Sequence, residues 1–283
     1  MQTRIIIMKT NKRLIPGFGI SMGVTLALLS IMVLIPLASL VVFTAKMDLS
    51  DIIKVITRPR VVASFEVSLL TSFIASVINA VMGVILAWVL VRYDFPGKRI
   101  LDGMIELPFA LPTAVAGISL TSLYADTGWI GGLFADMGIK IAYTRVGITI
   151  ALIFIGIPFV VRTVQPVLEK IDPLYEEAAG ILGASRTRIF RKVILPELRP
   201  AVFTGFGLAF GRCLGEYGSV VFIAGNQPYE TEITPLIIMS ELQEYDYPSD
   251  TAIALVMLAA AFLILFLVNL IQIGNSKILK GGH

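Results

Sequence analysis

The chain has 283 residues, of which 56% are hydrophobic and only 15% are charged, and its mean hydropathy is +0.86. This much apolar surface exceeds what a soluble core of the same length buries, which indicates an integral membrane protein. The single cysteine, Cys213, and the single histidine, His283, exclude a disulfide framework, a Cys/His metal site and a His-based catalytic triad.

The first apolar run follows a basic amino-terminal stretch, as the core of a secretory signal would. The run is about twice as long as a typical signal core, and no small residue lies three positions before Ala45. We therefore predict that it is a membrane span. The sequence leaves open whether translation starts at Met1 or at Met8.

Six apolar runs in all are long enough to cross a hydrocarbon core of about 30 Å, which takes roughly 20 residues. In the third, Pro108, Pro112 and Gly117 predict a kink that neighbouring helices must cover. The sequence thus predicts an all-α integral membrane protein with about six transmembrane helices and one transmembrane domain over residues 1–283. The predicted spans lie near residues 15–43, 64–91, 103–124, 146–168, 200–224 and 251–273.

The positive charges lie between the apolar runs instead of forming one face, so they indicate orientation in a membrane and not nucleic-acid binding. Lys and Arg are concentrated in the amino terminus, the loop 92–102, the stretch 170–199 and the tail. The loop 225–250 has none, although the loop 46–60 has four, which weakens the rule. The pattern predicts that both termini are cytoplasmic.

The stretch 170–199 is basic and helix-forming, and it separates the fourth and fifth predicted spans. Pro173 suits a helix start, with Glu176 and Glu177 in the first turn. Apolar and basic residues then alternate over 186–195, which predicts a second short helix lying flat at the membrane edge. One interpretation is a solvated loop anchored by anionic membrane lipid.

The spacing within this stretch favours a second interpretation. Glu177, Ala178 and Ala179 are followed by three residues and Gly183, then by nine residues and Val193, then by one residue and Leu195-Pro196. This spacing resembles the EAA loop of ABC importer permeases, in which an isoleucine is usual at the position of Val193. The resemblance implies a coupling helix that docks on cytoplasmic ATPase subunits through residues of the motif: Glu177, Ala178, Ala179, Gly183, Val193, Leu195 and Pro196.

The resemblance extends along most of the chain. The segments 93–102, 106–118, 157–169, 215–233 and 242–254 are similar to those of sulfate/thiosulfate importer permeases, and most similar to the T-type subunit. This implies a type I ABC importer permease fold, import of sulfate and thiosulfate, and a location in the cytoplasmic membrane. It also implies three partners: two copies of an ATPase subunit, a second, homologous permease subunit and an extracytoplasmic sulfate-binding protein. A molybdate/tungstate permease remains an alternative, although such chains are typically shorter at the amino end.

The chain has no G-x-x-x-x-G-K-[ST] nucleotide site, so the expectation is that it is not an enzyme, binds no cofactor and depends on ATP used by a partner. A self-sufficient secondary anion transporter is the alternative from another class. Such transporters often contain inverted repeats, and none is apparent here. A scaffold protein without transport is a further alternative.

The residues of the translocation path are a separate prediction. Arg212 lies about 12 residues into the fifth predicted span, and Glu216 follows one helical turn later. The pair either holds this span against its neighbours or presents a positive group to the passing anion. Asn79 and Gln165 are candidate polar residues of the path, or else hydrogen-bond partners between helices. The acidic loop 225–250 is interpreted as a docking surface for the binding protein, or as a simple cover.

Overall fold

The computed structural model describes residues 18–280, with side chains described through residue 270. The two possible start sites therefore lie outside the described residues. Every regular element in this range is a helix. In chain order the helices are α1 (Phe18–Thr44), α2 (Leu49–Ile56), α3 (Pro59–Arg92), α4 (Lys98–Ala110), α5 (Thr113–Tyr124), α6 (Trp129–Ala135), α7 (Arg145–Lys170), α8 (Pro173–Ile181), α9 (Arg186–Leu214), α10 (Val220–Ile223), α11 (Thr234–Gln243) and α12 (Tyr247–Lys280).

Five helices of the described part are long and apolar enough to cross a membrane: α1, α3, α7, α9 and α12. Each overlaps one of the predicted spans. Helices α3, α7 and α9 form the centre of the bundle and share the most extensive contacts. Helix α12 packs against α9, α11 and the second half of α1.

The third predicted span is two helices, α4 and α5, that meet at an angle of 115°. Leu111 and Pro112 between them are extended, because proline donates no backbone hydrogen bond and disfavours helical geometry in the residue before it. Helix α4 starts beside α7, where Asp102 contacts Arg162. Helix α5 ends where the Tyr124 carbonyl accepts a hydrogen bond from the Ala142 amide. Since Ala142 directly precedes the opposite end of α7, α4 and α5 together form one broken crossing.

The fifth predicted span differs from the structure at both ends. Helix α9 begins at Arg186, so residues 186–195 continue into the span and do not form a separate flat helix. A wide π turn at Phe190–Ile194 precedes Pro196, and the first helix has a similar turn, Ser30–Leu34, before Pro36. A wider turn keeps the helix continuous where proline removes the usual hydrogen bond. At the other end α9 stops at Leu214 and not at residue 224.

The centre of the bundle is held by a close approach of three helices at Val160 of α7. A Cβ added at Gly83 of α3 would lie 2.6 Å from Val160 Cγ1, and one at Gly205 of α9 would lie 2.9 Å from its Cα. Real side chains do not tolerate these distances, so both positions need glycine. In a membrane, where apolar contact with lipid is no worse than contact with another helix, such small residues allow helices to associate by close packing.

The direction of the helices defines two ends of the bundle. Arg92 at the end of α3, Lys170 at the end of α7 and Arg186 at the start of α9 lie at the end that carries α8. The starts of α3, α7 and α12 lie at the opposite end, which carries α11 and the loop 225–250. Helices α1 and α12 connect the same two ends, and Phe18 and Lys280 both lie toward the α8 end.

Candidate functional site: an exposed helix and a broken bundle centre

Helix α8 is exposed at its end of the bundle. Asp172 caps it, with the carboxylate accepting a hydrogen bond of 2.9 Å from the Leu174 amide, and Pro173 fixes its first turn. The predicted coupling residues Glu177 and Ala178 are exposed on this helix, and Ala179 is half-buried. The first half of the predicted motif therefore lies on a surface that a partner can reach.

Gly183 ends α8 by a specific backbone geometry. Its φ is +79°, in the left-handed region that residues other than glycine rarely adopt. The Gly183 amide donates to the Gly180 carbonyl at 2.9 Å, and the Ala184 amide donates to the Ala179 carbonyl at 3.0 Å. This pair of bonds is the Schellman arrangement. A Cβ at Gly183 would meet no atom within 4 Å, so this chain requires glycine here for conformation and not for space.

Large apolar side chains surround the predicted motif on α8 and point to solvent. Ile181 and Leu182 are 87% and 86% exposed, and Leu174 and Tyr175 are each 64% exposed. An exposed apolar patch on a short helix of this kind marks an interaction surface. These four residues were not predicted from the sequence, although Leu174 and Ile181, like Tyr175 and Leu182, lie seven positions apart, about two turns of a predicted helix.

The second half of the motif has a different role from the first. Val193, Leu195 and Pro196 lie within the continuous helix α9, and all three are half-buried. Val193 packs against the central apolar cluster that contains Leu168 and Leu198. The motif therefore joins an exposed helix to the base of a span, and its exposed members are Glu177, Ala178 and Gly183.

Arg92 connects α8 to the centre of the bundle. Arg92 Nη2, at the end of α3, lies 2.9 Å from Glu176 Oε1 of α8. The same nitrogen donates a hydrogen bond of 3.0 Å to the Ile171 carbonyl, just before α8. The Arg92 and Glu176 side chains are both mostly buried. Helix α8 also packs against the start of α9. Arg92 therefore links α8 to the central helix α3.

The end of α9 and the start of α5 form a second notable region, inside the bundle. Residues 215–219 are not helical, and the buried Glu216 accepts hydrogen bonds through Oε1 from the Ser219 amide (2.8 Å) and hydroxyl (2.9 Å). Its Oε2 is ion-paired with Arg212, which remains one-third exposed. A Cβ at Gly117 of α5 would overlap the Ser219 carbonyl. Two interrupted spans thus meet beside the Arg212–Glu216 pair.

The structure places Asn79 in the packed core. It is fully buried, and a Cβ at Gly156 would overlap its amide nitrogen while lying 3.1 Å from Cys213 Sγ. Neither side-chain amide atom of Asn79 has a hydrogen-bond partner among the described residues. Asn79 thus lies near Cys213, the neighbour of Arg212 in α9.

Gln165 lies apart from these residues. It is nine positions from Gly156 on α7, which is about 13 Å along a helix that rises 1.5 Å per residue. Its oxygen accepts a hydrogen bond of 2.7 Å from Arg162, and its nitrogen donates one of 3.3 Å to Glu169. Arg162 also contacts Asp102 at 2.7 Å and Glu106 at 2.8 Å, which joins α7 to α4. The four predicted path residues therefore do not form one cluster.

The opposite end of the bundle contains arginines paired with the acidic loop. Arg60 Nε and Nη2 donate to Glu232 Oε2 and Oε1 at 2.8 Å and 2.6 Å, and Arg58 lies 3.4 Å from Glu241. Burial raises the pKa of the Glu241 carboxyl, while Arg58 acts in the opposite direction. Arg145 in turn donates to the Glu230 carbonyl at 2.9 Å. Two of the six acidic side chains of the loop, Glu232 and Glu241, are thus ion-paired with α3 or the residue before it.

Residues 79–273 match a family model described as "Binding-protein-dependent transport system inner membrane component". The matched segment contains α8, the broken crossing and the Arg212–Glu216 pair. The chain is a member of this family. It is thus a multi-span inner membrane component of an ABC importer, which confirms the predicted all-α permease fold.

Curated relatives of the permease share about half of its residues. It is 51% identical over 263 residues to the sulfate transport system permease protein CysT of Salmonella typhimurium, covering 93% of this chain and 95% of the relative. The corresponding protein of Synechocystis is 45% identical over 249 residues, covering 88% of this chain and 87% of that one. These relatives confirm the resemblance to sulfate importer permeases that the sequence indicated.

Solved structures show the same fold at low sequence identity. The permease superposes on a chain of a bacterial ABC transporter that imports the acidic polysaccharide alginate, with a TM-score of 0.73, 17% identity and coverage of 88% and 92%. It superposes on a chain of the MetNI methionine ABC transporter with a TM-score of 0.59, 17% identity and coverage of 76% and 96%. The fold is therefore that of ABC importer permeases.

Proposed function

We propose that this chain is the membrane-spanning subunit of an ATP-driven importer that moves sulfate and thiosulfate into the cell by alternating access. The observation that carries the proposal is the pairing of two features in one chain. One is an exposed apolar helix, α8, with the coupling motif at one end of the bundle. The other is 51% identity to a sulfate transport system permease.

The substrate requires an energy source. Moving a dianion inward against an inside-negative potential of 100 mV costs about 4.6 kcal/mol before any concentration gradient is considered. The sequence contains no nucleotide-binding loop, so ATP hydrolysis takes place in a partner. Two ATPase subunits dock beneath two permease subunits, and the exposed side chains of α8, among them Ile181 and Leu182, enter a groove on the ATPase.

Docking of α8 on the ATPase determines which end of the bundle is cytoplasmic. The α8 end is cytoplasmic, and so are both termini, since α1 and α12 run between the same two ends. The loop 225–250 and α11 face outward, where a sulfate-binding protein delivers the anion. A bacterial alginate importer with a permease of similar fold was solved in complex with a substrate-bound periplasmic protein, which supports this order of parts.

The substrate path passes the break in the bundle. Helix α5 begins there at Thr113, and the amino-terminal end of a helix favours negative charge. Interrupted spans are where transporters commonly bind substrate. Arg212 supplies a positive group that is one-third exposed, and Glu216, buried and fully engaged, fixes its position. Asn79 and Gln165 are also assigned to the path, but they rank below Arg212 and Glu216.

Uptake of labelled sulfate in cells depleted of this chain tests the proposal. Restored uptake on re-expression, with thiosulfate competing more strongly than molybdate, is the expected result. Purification of the chain should also recover an ATPase subunit. Accumulation of sulfate in vesicles that contain this polypeptide alone, without nucleotide, would instead support a secondary transporter.

A further inference from the structure

A cavity of about 390 Å³ lies between the end of α3, the start of α8 and the start of α9. Its lining includes Trp88 and Arg92 from α3, Glu176 from α8, and Arg186 and Phe190 from α9. None of these residues belongs to the coupling motif or to the break in the bundle. The cavity therefore needs an explanation of its own.

The charged groups of the cavity are in positive excess. Arg92 uses Nη2 to contact Glu176 and the Ile171 carbonyl, but its Nε is buried and has no hydrogen-bond partner in the described part of the chain. Arg186 is exposed and has no ion-pair partner among the described residues. Two guanidinium groups thus face one carboxylate. A guanidinium offers five donors in a fork that matches a phosphate or similar oxyanion.

The other wall of the cavity is aromatic. Trp88 and Phe190 pack edge to face with ring centroids 5.5 Å apart, and the Arg92 guanidinium lies 5.9 Å from the Trp88 ring. Trp88 precedes Arg92 by one helical turn in α3, and Phe190 follows Arg186 by one turn in α9. Both rings are therefore deeper in the bundle than the two arginines. The cavity is cationic at its mouth and apolar on the membrane side.

We propose that this cavity binds a phosphate-type oxyanion, and that in the membrane its ligand is the headgroup phosphate of an anionic phospholipid. Arg186 and the free donors of Arg92 hold the phosphate, and the first carbons of the lipid lie along Trp88 and Phe190. Basic pockets between transmembrane helices bind anionic headgroups in this way. This site goes beyond the proposed transport function, because binding requires neither sulfate nor an ATPase.

The bound phosphate would share Arg92 with α8. The guanidinium that faces the cavity is the one that contacts Glu176, so the phosphate and the Glu176 carboxylate are alternative partners for the same positive charge. Occupancy therefore loosens the contact between α8 and α3. Removing the Glu176 charge should in turn strengthen binding of the lipid.

The test uses the full chain purified in neutral detergent, with retained lipid counted by native mass spectrometry. Phosphatidylglycerol is expected to be retained in preference to phosphatidylcholine. Arg186→Ala should reduce that retention about tenfold, the usual effect of losing one charge-assisted contact. Glu176→Gln should raise it. Arg191→Ala and Glu197→Gln are the matched controls, because both residues are exposed on α9 outside the cavity, and neither should change retention.

Equal losses in Arg186→Ala and Arg191→Ala would overturn the proposal, since they would indicate diffuse attraction of lipid by a basic helix. Equal retention of the two lipids would also overturn it. A separate titration with inorganic phosphate or sulfate in lipid-free micelles distinguishes the source of the oxyanion. Tight binding of the free ion that is lost in Arg186→Ala would keep the oxyanion site and overturn the lipid as its ligand. None of these outcomes depends on whether the chain imports sulfate.

Discussion

Arg60 and Glu232, 172 positions apart, form a two-pronged ion pair in which Nε and Nη2 lie 2.8 Å and 2.6 Å from the two carboxylate oxygens. Glu232 is almost completely buried, whereas Arg60 is partly exposed. The pair ties the start of α3 to the loop that precedes α11. It fixes the end of the bundle opposite α8 to one of the central helices.

Removal of Arg60 should destabilise the permease. In Arg60→Ala the buried Glu232 charge loses its partner, which costs about 3 kcal/mol. Thermal unfolding of the purified chain in detergent measures this loss. Lys54→Ala is the control, because the exposed Lys54–Asp51 pair contributes at most about 1 kcal/mol. Equal midpoints for the two variants would show that the Arg60–Glu232 pair contributes little.

Substitutions at Gly183 should separate conformation from docking. Gly183→Asn tolerates the left-handed φ of +79° and should retain most of the substrate-stimulated ATP hydrolysis of the assembled importer. Gly183→Asp should abolish the stimulation while the chain still inserts, because its charge holds the docking faces apart. Stimulation at the wild-type level in Gly183→Asp would contradict the proposed role of α8.

The exposed apolar residues of α8 should contribute most of the contact with the ATPase. Ile181→Glu should lower the amount of ATPase that copurifies with the chain by roughly tenfold or more, as expected for a central apolar contact residue. Because Ile181 is 87% exposed, the fold of the chain should not change. Thr187→Glu adds the same charge at an exposed position of α9 and serves as the control. Similar losses in both variants would indicate a general effect of charge.

Arg212 requires a variant that separates transport from stability. Arg212→Ala leaves the buried Glu216 unpaired and should both destabilise the chain and abolish sulfate uptake. The double variant Arg212→Met/Glu216→Gln removes both charges and should assemble normally, yet still fail to import. Uptake at the wild-type rate in an assembled double variant would reduce the pair to a packing role.

Glu241 should make stability depend on pH. Burial raises its folded pKa above the ordinary value of 4.5, so the folded chain holds this proton more tightly than the unfolded chain. Its contribution to stability is complete below pH 4.5 and is lost as pH rises through the folded pKa. Glu241→Gln should therefore unfold at a higher temperature than wild type near pH 7 and show no such advantage near pH 4. Glu244→Gln, at the exposed end of α11, is the control for loss of one negative charge.

Several features of the permease follow from local sequence. Long apolar runs predicted the positions of the spans, because crossing a bilayer needs about 20 apolar residues whatever their neighbours are. Pro108 and Pro112 predicted a disturbed third span, and the spacing from Glu177 to Pro196 predicted the family. Asp172, Pro173 and Gly183 define the bounds of α8 through capping interactions that involve only near neighbours.

Contacts between distant positions were decided by the tertiary structure alone. The four positive charges of the loop 46–60 weakened the orientation rule, and only the fold reveals that Arg58 and Arg60 pair with Glu241 and Glu232. Likewise, the Arg92–Glu176 contact and the packing of Gly117 against Ser219 leave no periodic or local pattern. Hydropathy records how well each residue suits the bilayer, whereas pairing of buried charges depends on which helices become neighbours, and that is fixed only when the bundle packs.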